Sequence, residues 1–250
     1  MAIAFRSLTS LAYASRTNTT LTAPAGLADG DILIALIITA KATTAPTPTP
    51  PAGFTSFGAV TSVTDAGSFN GRMHVFWKRA AAESGSYTFT HAVASSQGIL
   101  AAYSGALASG TPLGATSNAT GNDNISTGTT ITTTAANSYL LYGAHNWTGT
   151  ARAAPSGMTE RFDNLGYLAD QLIATASATG TRVQNPNGNG GSGDQWAVRM
   201  VELLAAVAAS DATTLKAWTG SAWTQEMTRV WSGSAWIIRP VKRWTGSAWV

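Results

Sequence analysis

A six-residue unit, Trp-Ser/Thr-Gly-Ser-Ala-Trp, occurs three times near the C-terminus and constrains the fold more tightly than any other feature of this sequence. The copies begin at Trp218, Trp231 and Trp244, so they recur every 13 residues. A central Gly-Ser pair suits a two-residue type II′ turn, because glycine adopts the positive φ that the first turn position requires. We therefore predict three β-hairpins. Their turn-forming glycines are Gly220, Gly233 and Gly246.

The position of each turn also sets the pairing of the two strands. In the first copy Trp218 lies opposite Trp223 and Lys216 lies opposite Gln225, so two indole rings and a cation share one face of the ribbon. The same register applies to the other two copies. The residues predicted to serve in assembly or in ligand stacking are Trp218, Trp223, Trp231, Trp236, Trp244, Trp249, Lys216, Arg229 and Lys242.

Paired indole rings on an isolated hairpin need a further partner. A cross-strand aromatic pair contributes roughly 0.2–1 kcal/mol, and a lone two-stranded hairpin is marginal in water. Each Trp side chain buries on the order of 150–250 Å² when it packs. We therefore interpret residues 216–250 as an assembly module. The alternative is a surface that binds sugars or choline, because indole faces stack on pyranose rings and attract quaternary ammonium groups.

Residues 1–205 have the pattern of an all-β domain. Short runs rich in β-branched and aromatic residues are bounded by Gly, Pro, Asn, Asp and Ser clusters, which favours a β-sandwich or barrel. Ile32–Thr39 is apolar on both faces and predicts a central strand. Arg72–Lys78 and Tyr87–His91 alternate, so each predicts a strand with one face in the core. Further strands are expected over Tyr139–Trp147, Gly166–Ala174 and Trp196–Leu204.

The predicted fold class is all-β, with a jelly-roll-like β-sandwich over residues 1–205, a linker over 206–215 and Trp-rich hairpin repeats over 216–250. Two segments interrupt the strand pattern of the sandwich. Lys41–Pro51 is rich in Pro and Thr and must be extended, because proline restrains its own φ and the conformation of the preceding residue. Ala108–Thr134 has few large apolar residues, so it is either a long surface loop or a set of weak edge strands.

The sequence contains no recognisable catalytic or cofactor site. The absence of cysteine excludes disulfides, thiolate nucleophiles and Cys-ligated metals. His74, His91 and His145 lack metal-ligand spacing, and we expect them at solvent-facing strand positions. Gly188–Gly193 matches a dinucleotide-binding glycine pattern, but a strand-like run follows it, so a hairpin loop is expected. We predict no catalytic, cofactor or metal site and no enzyme activity.

Charge and hydropathy limit the partners. Only 11% of the residues are charged, and five of the 15 cations follow residue 215, a density too low for the cationic groove that single-stranded nucleic acid requires. Ile32–Ile38 has about a third of the length of a bilayer-spanning helix. Met1–Leu8 lacks the continuous apolar run of an export signal. We expect no nucleic-acid partner, no membrane insertion, and synthesis in the cytoplasm without a signal peptide.

Two parts of the chain resemble proteins of tailed bacteriophages. The C-terminal units, which end at Trp249 and Val250, are similar to short repeats that finish many phage minor tail and fibre proteins. The first 105 residues resemble a β-sandwich module of phage and bacterial surface proteins. The segments that carry this second likeness are Gly30–Ala35, Pro51–Phe54, Tyr87–Thr90 and Ala101–Gly105.

The resemblance implies a non-enzymatic building block of a virion. Its expected partners are further copies of the chain, with a trimer favoured, and other virion proteins. A tail-associated or fibre-like position is the leading hypothesis, with host surface glycans as a ligand. A capsid decoration or head-fibre protein is the structural alternative, and a carbohydrate-binding module or lytic enzyme is the alternative of another class.

Overall fold

The computed structural model of this chain describes residues 3–61, 70–123, 125–146, 152–185, 195–206, 214–218, 223–227 and 229–238. Within these ranges the chain forms antiparallel β-sheets and no helix. This confirms the predicted all-β fold class. The chain divides into two compact units, Met1–Ala206 and Val207–Val250, which are described separately.

The first sheet of the larger unit contains the predicted central strand. Its strands are β1 (Ala4–Thr22), β2 (Ile32–Lys41), β3 (Thr55–Thr61), β4 (Asn70–Arg79) and β5 (Ser86–Ser104). They are arranged in the order β1-β5-β2-β4-β3. Nine of the ten residues of β2 are buried, because the strand lies between β5 and β4 and is covered on both faces.

The second sheet follows in the chain. Its strands are β6 (Leu113–Gly121), β8 (Ser138–Asn146), β9 (Thr159–Asp163), β10 (Gly166–Ile173) and β12 (Trp196–Leu203), in the order β6-β12-β8-β10-β9. Strands β7 (Ser126–Gly128) and β11 (Arg182–Gln184) form a separate two-stranded ribbon. Because β6 lies at a sheet edge inside Ala108–Thr134, the edge-strand alternative for that segment is the one observed.

The two sheets pack face to face on one shared hydrophobic core, which makes the larger unit a β-sandwich. β4 contacts β8 and β5 contacts β10 across this core. Alternate residues of the central strands point into it, as the period of two requires. The main buried contributors are Ile34, Leu36, Val75, Ile99 and Tyr103 from the first sheet and Leu141, Leu168, Val201 and Leu203 from the second.

The outer face of each sheet is covered as well. The far end of the β1–β5 ribbon folds back over the first sheet, where a Cβ on Gly98 would lie 2.6 Å from Thr19 Cγ2 and 3.0 Å from Leu21 Cδ1. On the second sheet, Gly128 of β7 packs against Met200. These close approaches require glycine because no side chain fits between the layers. Burial of both faces accounts for the apolar character of the central strands.

This covering corrects the prediction for the histidines. His74 and His145 are 3% and 0% exposed, and His91 is 9% exposed, so none of them faces solvent. The prediction was wrong because strand alternation identifies two faces but does not show that both are covered. The Pro-rich segment contributes to the cover, since the Thr39 hydroxyl beside His74 donates to the carbonyl of Pro46.

The described part of the smaller unit contains two hairpins. They consist of β13 (Thr214–Trp218) with β14 (Trp223–Met227), and β15 (Arg229–Trp231) with β16 (Trp236–Ile238). The first strand begins at Thr214, inside the predicted linker 206–215. Residues 207–213 of that linker, and the predicted loop Gly188–Gly193, lie outside the described residues.

Candidate assembly surface

The second hairpin has the backbone that a Gly-Ser turn specifies. Trp231 lies opposite Trp236 and Arg229 lies opposite Ile238. Gly233 has a φ of 98°, a conformation that strains residues with a Cβ. The amide of Ser232 donates to the carbonyl of Ala235 at 2.9 Å and closes the turn.

The indole rings of this hairpin contact each other and remain largely in solvent. The centroids of Trp231 and Trp236 are 5.7 Å apart, and the ring planes meet at 59°. The two residues are 53% and 65% exposed. More than half of two large apolar residues is therefore available to a partner, on one face of a ribbon too short to be stable by itself.

The first hairpin shows the same register in its backbone. Trp218 pairs with Trp223 and Lys216 pairs with Gln225, the pairing that a turn at Gly220 requires. The assignment of these residues to assembly or ligand stacking stays a prediction. The predicted residues that lie outside the described residues, or whose side chains do, are Lys216, Trp218, Gly220, Trp223, Arg229, Lys242, Trp244, Gly246 and Trp249.

The histidines occupy structural positions inside the sandwich. Burial, together with the charge of Arg72, lowers the pKa of His74 to about 4. Burial and the charge of Arg152 lower the pKa of His145 to about 4. The Nε2 atom of His91 lies 3.2 Å from the Thr19 hydroxyl. Among the described residues there is no group of three or more His, Asp or Glu side chains that could hold a metal ion.

A buried ionic cluster joins the two sheets, and sequence reasoning did not find it. Asp170 of β10 accepts two hydrogen bonds from the Arg161 guanidinium, at 2.8 and 2.9 Å, and a third from the Tyr103 hydroxyl at 3.0 Å. Burial, and then the Asp170 charge, raises the pKa of Tyr103 far above its usual value, so the hydroxyl stays a donor. Asp170 interrupts an apolar strand at an inward-facing position, which was the available signal.

A second buried carboxylate, Glu202 of β12, is also used within the fold. It accepts hydrogen bonds from the amides of Ala115, Thr134 and Ala135 and from the Thr134 hydroxyl, at 2.8–3.2 Å. Its acceptor positions are thus filled by the segment before β8 and by β6. Both buried carboxylates hold the sandwich together, whereas the indole pair of the second hairpin is exposed.

The comparisons with known proteins give no relative. No protein-family model, no curated protein and no solved structure matches this chain. Over the described ranges, the structure contains no helix that is long and apolar enough to cross a membrane.

Proposed function

We propose that this chain is a structural component of a tailed-phage virion, tail-associated or fibre-like in position, which assembles through its C-terminal Trp hairpins. The observation that carries the proposal is the exposed pair Trp231 and Trp236 on a hairpin whose sequence occurs three times. The repeat supports assembly because identical surfaces presented at regular intervals are suited to pairing with identical surfaces.

The partner that best fits the hairpins is another copy of the same hairpin. β15 and β16 pair over only three residues each, and such a ribbon needs additional layers to be stable. Packing against equivalent ribbons would bury the rings of Trp231 and Trp236 and provide those layers. The chain is therefore a homo-oligomer, with a trimer favoured, that contacts other virion proteins.

The sandwich serves as the rigid body of the subunit. Its buried polar groups Asp170 and Glu202 are bonded within the fold. The Ser-, Thr- and Gly-rich loops at its surface suit contacts with host surface glycans, which we propose as the ligand of the assembled particle.

The assembly role is tested by changing the indole pair in the full chain. Trp231→Ser with Trp236→Ser is expected to raise the dissociation constant of the oligomer at least tenfold in analytical ultracentrifugation, because each truncated indole removes a large apolar contact. Val93→Ser is the matched control, since Val93 is a 57% exposed apolar residue of the sandwich. An unchanged dissociation constant in the Trp variant contradicts the assembly role.

The position in the particle is tested by electron microscopy of the source phage with antibodies against this chain. Labelling of the tail or its fibres supports the proposal. Labelling of the head favours the capsid decoration or head-fibre alternative. The exposed rings also suit stacking on a pyranose ring, so a monomeric chain that binds glycans through Trp231 favours a carbohydrate-binding module. Turnover of a cell-wall polymer favours a lytic enzyme.

A further inference from the structure

The two sheets of the sandwich have the same strand connectivity. In the first sheet, the strands in chain order occupy the spatial order first, fifth, second, fourth, third. The second sheet, with β6, β8, β9, β10 and β12 as its five strands, has the same order. The ribbon β7–β11 completes the correspondence. β7 follows β6 in the chain and β11 precedes β12, so this ribbon extends the pairing of β6 with β12. In the first half, the corresponding extension is the pairing of Asn18–Thr22 with Ser86–Thr90, at the far ends of β1 and β5.

Equivalent positions also carry the same turn. Pro51–Thr55 and Pro155–Thr159 each read Pro-x-Gly-x-Thr and lead into the third strand of their sheet. In each turn the amide of the fourth residue donates to the carbonyl of the first, at 3.2 and 2.9 Å. The glycines have φ angles of 84° and 79°. The fourth residues, Phe54 and Met158, are both buried against the outer face of their own sheet.

The entry to the second strand matches as well. Gly30 and Asn137 both have a positive φ, of 85° and 57°. Each lies two residues before a position that faces the shared core, Ile32 in one sheet and Tyr139 in the other. Asparagine is the residue that most readily replaces glycine in this conformation.

Two contacts between the sheets are of the kind that an approximate two-fold axis between the halves would produce. β3 packs against β6 and β12, and the equivalent contact places the Arg161 guanidinium of β9 4.2 Å from the ring centroid of Phe5 in β1. At the axis, Ala106 and Ala205 form an antiparallel bridge between the ends of the two halves. Two equivalent segments that run antiparallel beside each other are what a two-fold axis produces.

We propose that residues 3–106 and 113–206 are two copies of one module, and that the inner face of each copy is a docking surface for another module of the same kind. The sandwich is thus a covalently fused dimer. Within one chain, the inner face of each half packs on the other half. The further partner for this face is the matching half of a second copy of the chain. The proposal stands independently of the phage function.

The connector between the halves offers a way to test it. The amide of Leu107 donates to the carbonyl of Leu204, and the amide of Leu204 donates to the carbonyl of Pro112. Ala106 lies opposite Ala205 and Leu113 lies opposite Leu203, so two residues of strand, about 6.6 Å, separate Ala106 from Leu113 along β12. Deletion of Leu107–Pro112 joins Ala106 directly to Leu113, and one Cα step spans only about 3.8 Å.

A full chain with this deletion cannot close its own halves on each other. If the inner faces recognise any module of their kind, the first half of one chain will pack on the second half of another. Because the chain has no cysteine, one introduced pair can report the exchange. Ala106 and Ala205 suit the purpose, because the hydrogen bonds of their bridge come from the flanking residues, and such pairs have Cα atoms about 4.5 Å apart.

The experiment compares Ala106→Cys with Ala205→Cys in the parent chain and in the deletion variant, on a denaturing gel without reductant. The parent should give a disulfide within one chain and migrate at the 25.7 kDa of a single chain. The deletion variant should give species of at least twice that mass, which collapse on reduction. Denaturation removes any association through the Trp hairpins. A one-chain disulfide, or no disulfide, in the folded deletion variant overturns the proposal.

A second rearrangement keeps the test decisive if the deletion variant aggregates. If a two-fold axis relates the halves, their order in the chain is exchangeable. The second variant therefore begins with residues 113–206, continues with a copy of the connector 107–112, and ends with residues 3–106 and 207–250. Cooperative unfolding with a midpoint within about 5 °C of the parent, and the parent far-ultraviolet spectrum, support the proposal. Loss of cooperative unfolding overturns it.

Discussion

The two units of this chain treat their aromatic side chains in opposite ways. In the sandwich, Tyr103, Tyr142 and Tyr167 are completely buried, and the hydroxyls of all three donate hydrogen bonds inside the fold. In the second hairpin, Trp231 and Trp236 expose more than half of their surface. The sandwich buries these tyrosines and bonds their hydroxyls internally, whereas the second hairpin packs two indole rings against each other and leaves both exposed to solvent. These aromatic residues are thus enclosed in one unit and exposed in the other.

The largest difference between the units is expected in how their stability responds to low pH, because all three histidines lie in the sandwich. His74 and His145 have a pKa of about 4 in the fold, below the value of about 6.5 in an unfolded chain. The unfolded state therefore binds more protons between these values, and stability is complete above about pH 6.5 and falls as the pH drops towards 4. We expect a loss of about 1–3 kcal/mol for each histidine.

Urea unfolding between pH 4 and 7 measures this loss. His74→Gln is the control, because it removes one of the two titrating groups and should lower the slope of the free energy of unfolding against pH by about one proton. A slope that is the same in both proteins would show that His74 does not couple folding to protonation.

The next largest effect is expected from the buried cluster that joins the sheets. Asp170→Ala removes the acceptor of Arg161 and Tyr103, so a cation and a hydroxyl are left unpaired near the core. We expect the free energy of unfolding to fall by about 2–4 kcal/mol, since breaking a buried ion pair leaves a charge uncompensated and Arg161 is partly open to solvent.

Asp170→Asn is the matched variant, because its side-chain oxygen can still accept from Tyr103. It should lose about half as much stability in the same measurement. Equal losses in both variants would assign the whole effect to the lost charge, with no contribution from packing or from the hydrogen bond of Tyr103.

Local sequence rules predicted features of both units. Ile32–Thr39 had no polar face, and this alone placed it between two other strands. The Gly-Ser turns fixed the register of two hairpins, because a two-residue turn allows one pairing. Local rules of this kind involve residues close in the chain, and they succeeded in both units.

The same reasoning did not predict which distant segments cover the outer faces of the sheets. The outer face of β4 is polar in sequence at His74, yet the Pro-rich segment and the folded-back ribbon cover it. The equivalence of the two halves was hidden because β2 and β8 share no more than an apolar character, and the Pro-x-Gly turn is too short to be noticed. Topology reveals both features, because it records which strands become neighbours across a hundred residues.

A smaller, local effect should follow from the turn of the second hairpin. Gly233→Val places a β-branched side chain at a φ of 98°, which costs at least about 1–2 kcal/mol. The hairpin should open, and the tryptophan exciton signal in circular dichroism should fall by about a third, because one of the three ring pairs that the repeat predicts is lost. Ser234→Val is the control, since Ser234 has no positive φ. An equal response to both substitutions would mean that the turn does not depend on glycine.

The smallest expected effect is on the sandwich when the indole pair of the second hairpin is removed. Trp231→Ser with Trp236→Ser should change the free energy of unfolding of the sandwich by less than about 0.5 kcal/mol, since exposed side chains outside its core contribute little to it. Asp170→Ala should conversely leave the dissociation constant of the oligomer unchanged while the sandwich remains folded. Both are measured by urea unfolding followed through tyrosine absorbance and by analytical ultracentrifugation. If the Trp variant destabilises the sandwich, the indole pair already packs on it, and the hairpin is part of the body rather than a surface for another subunit.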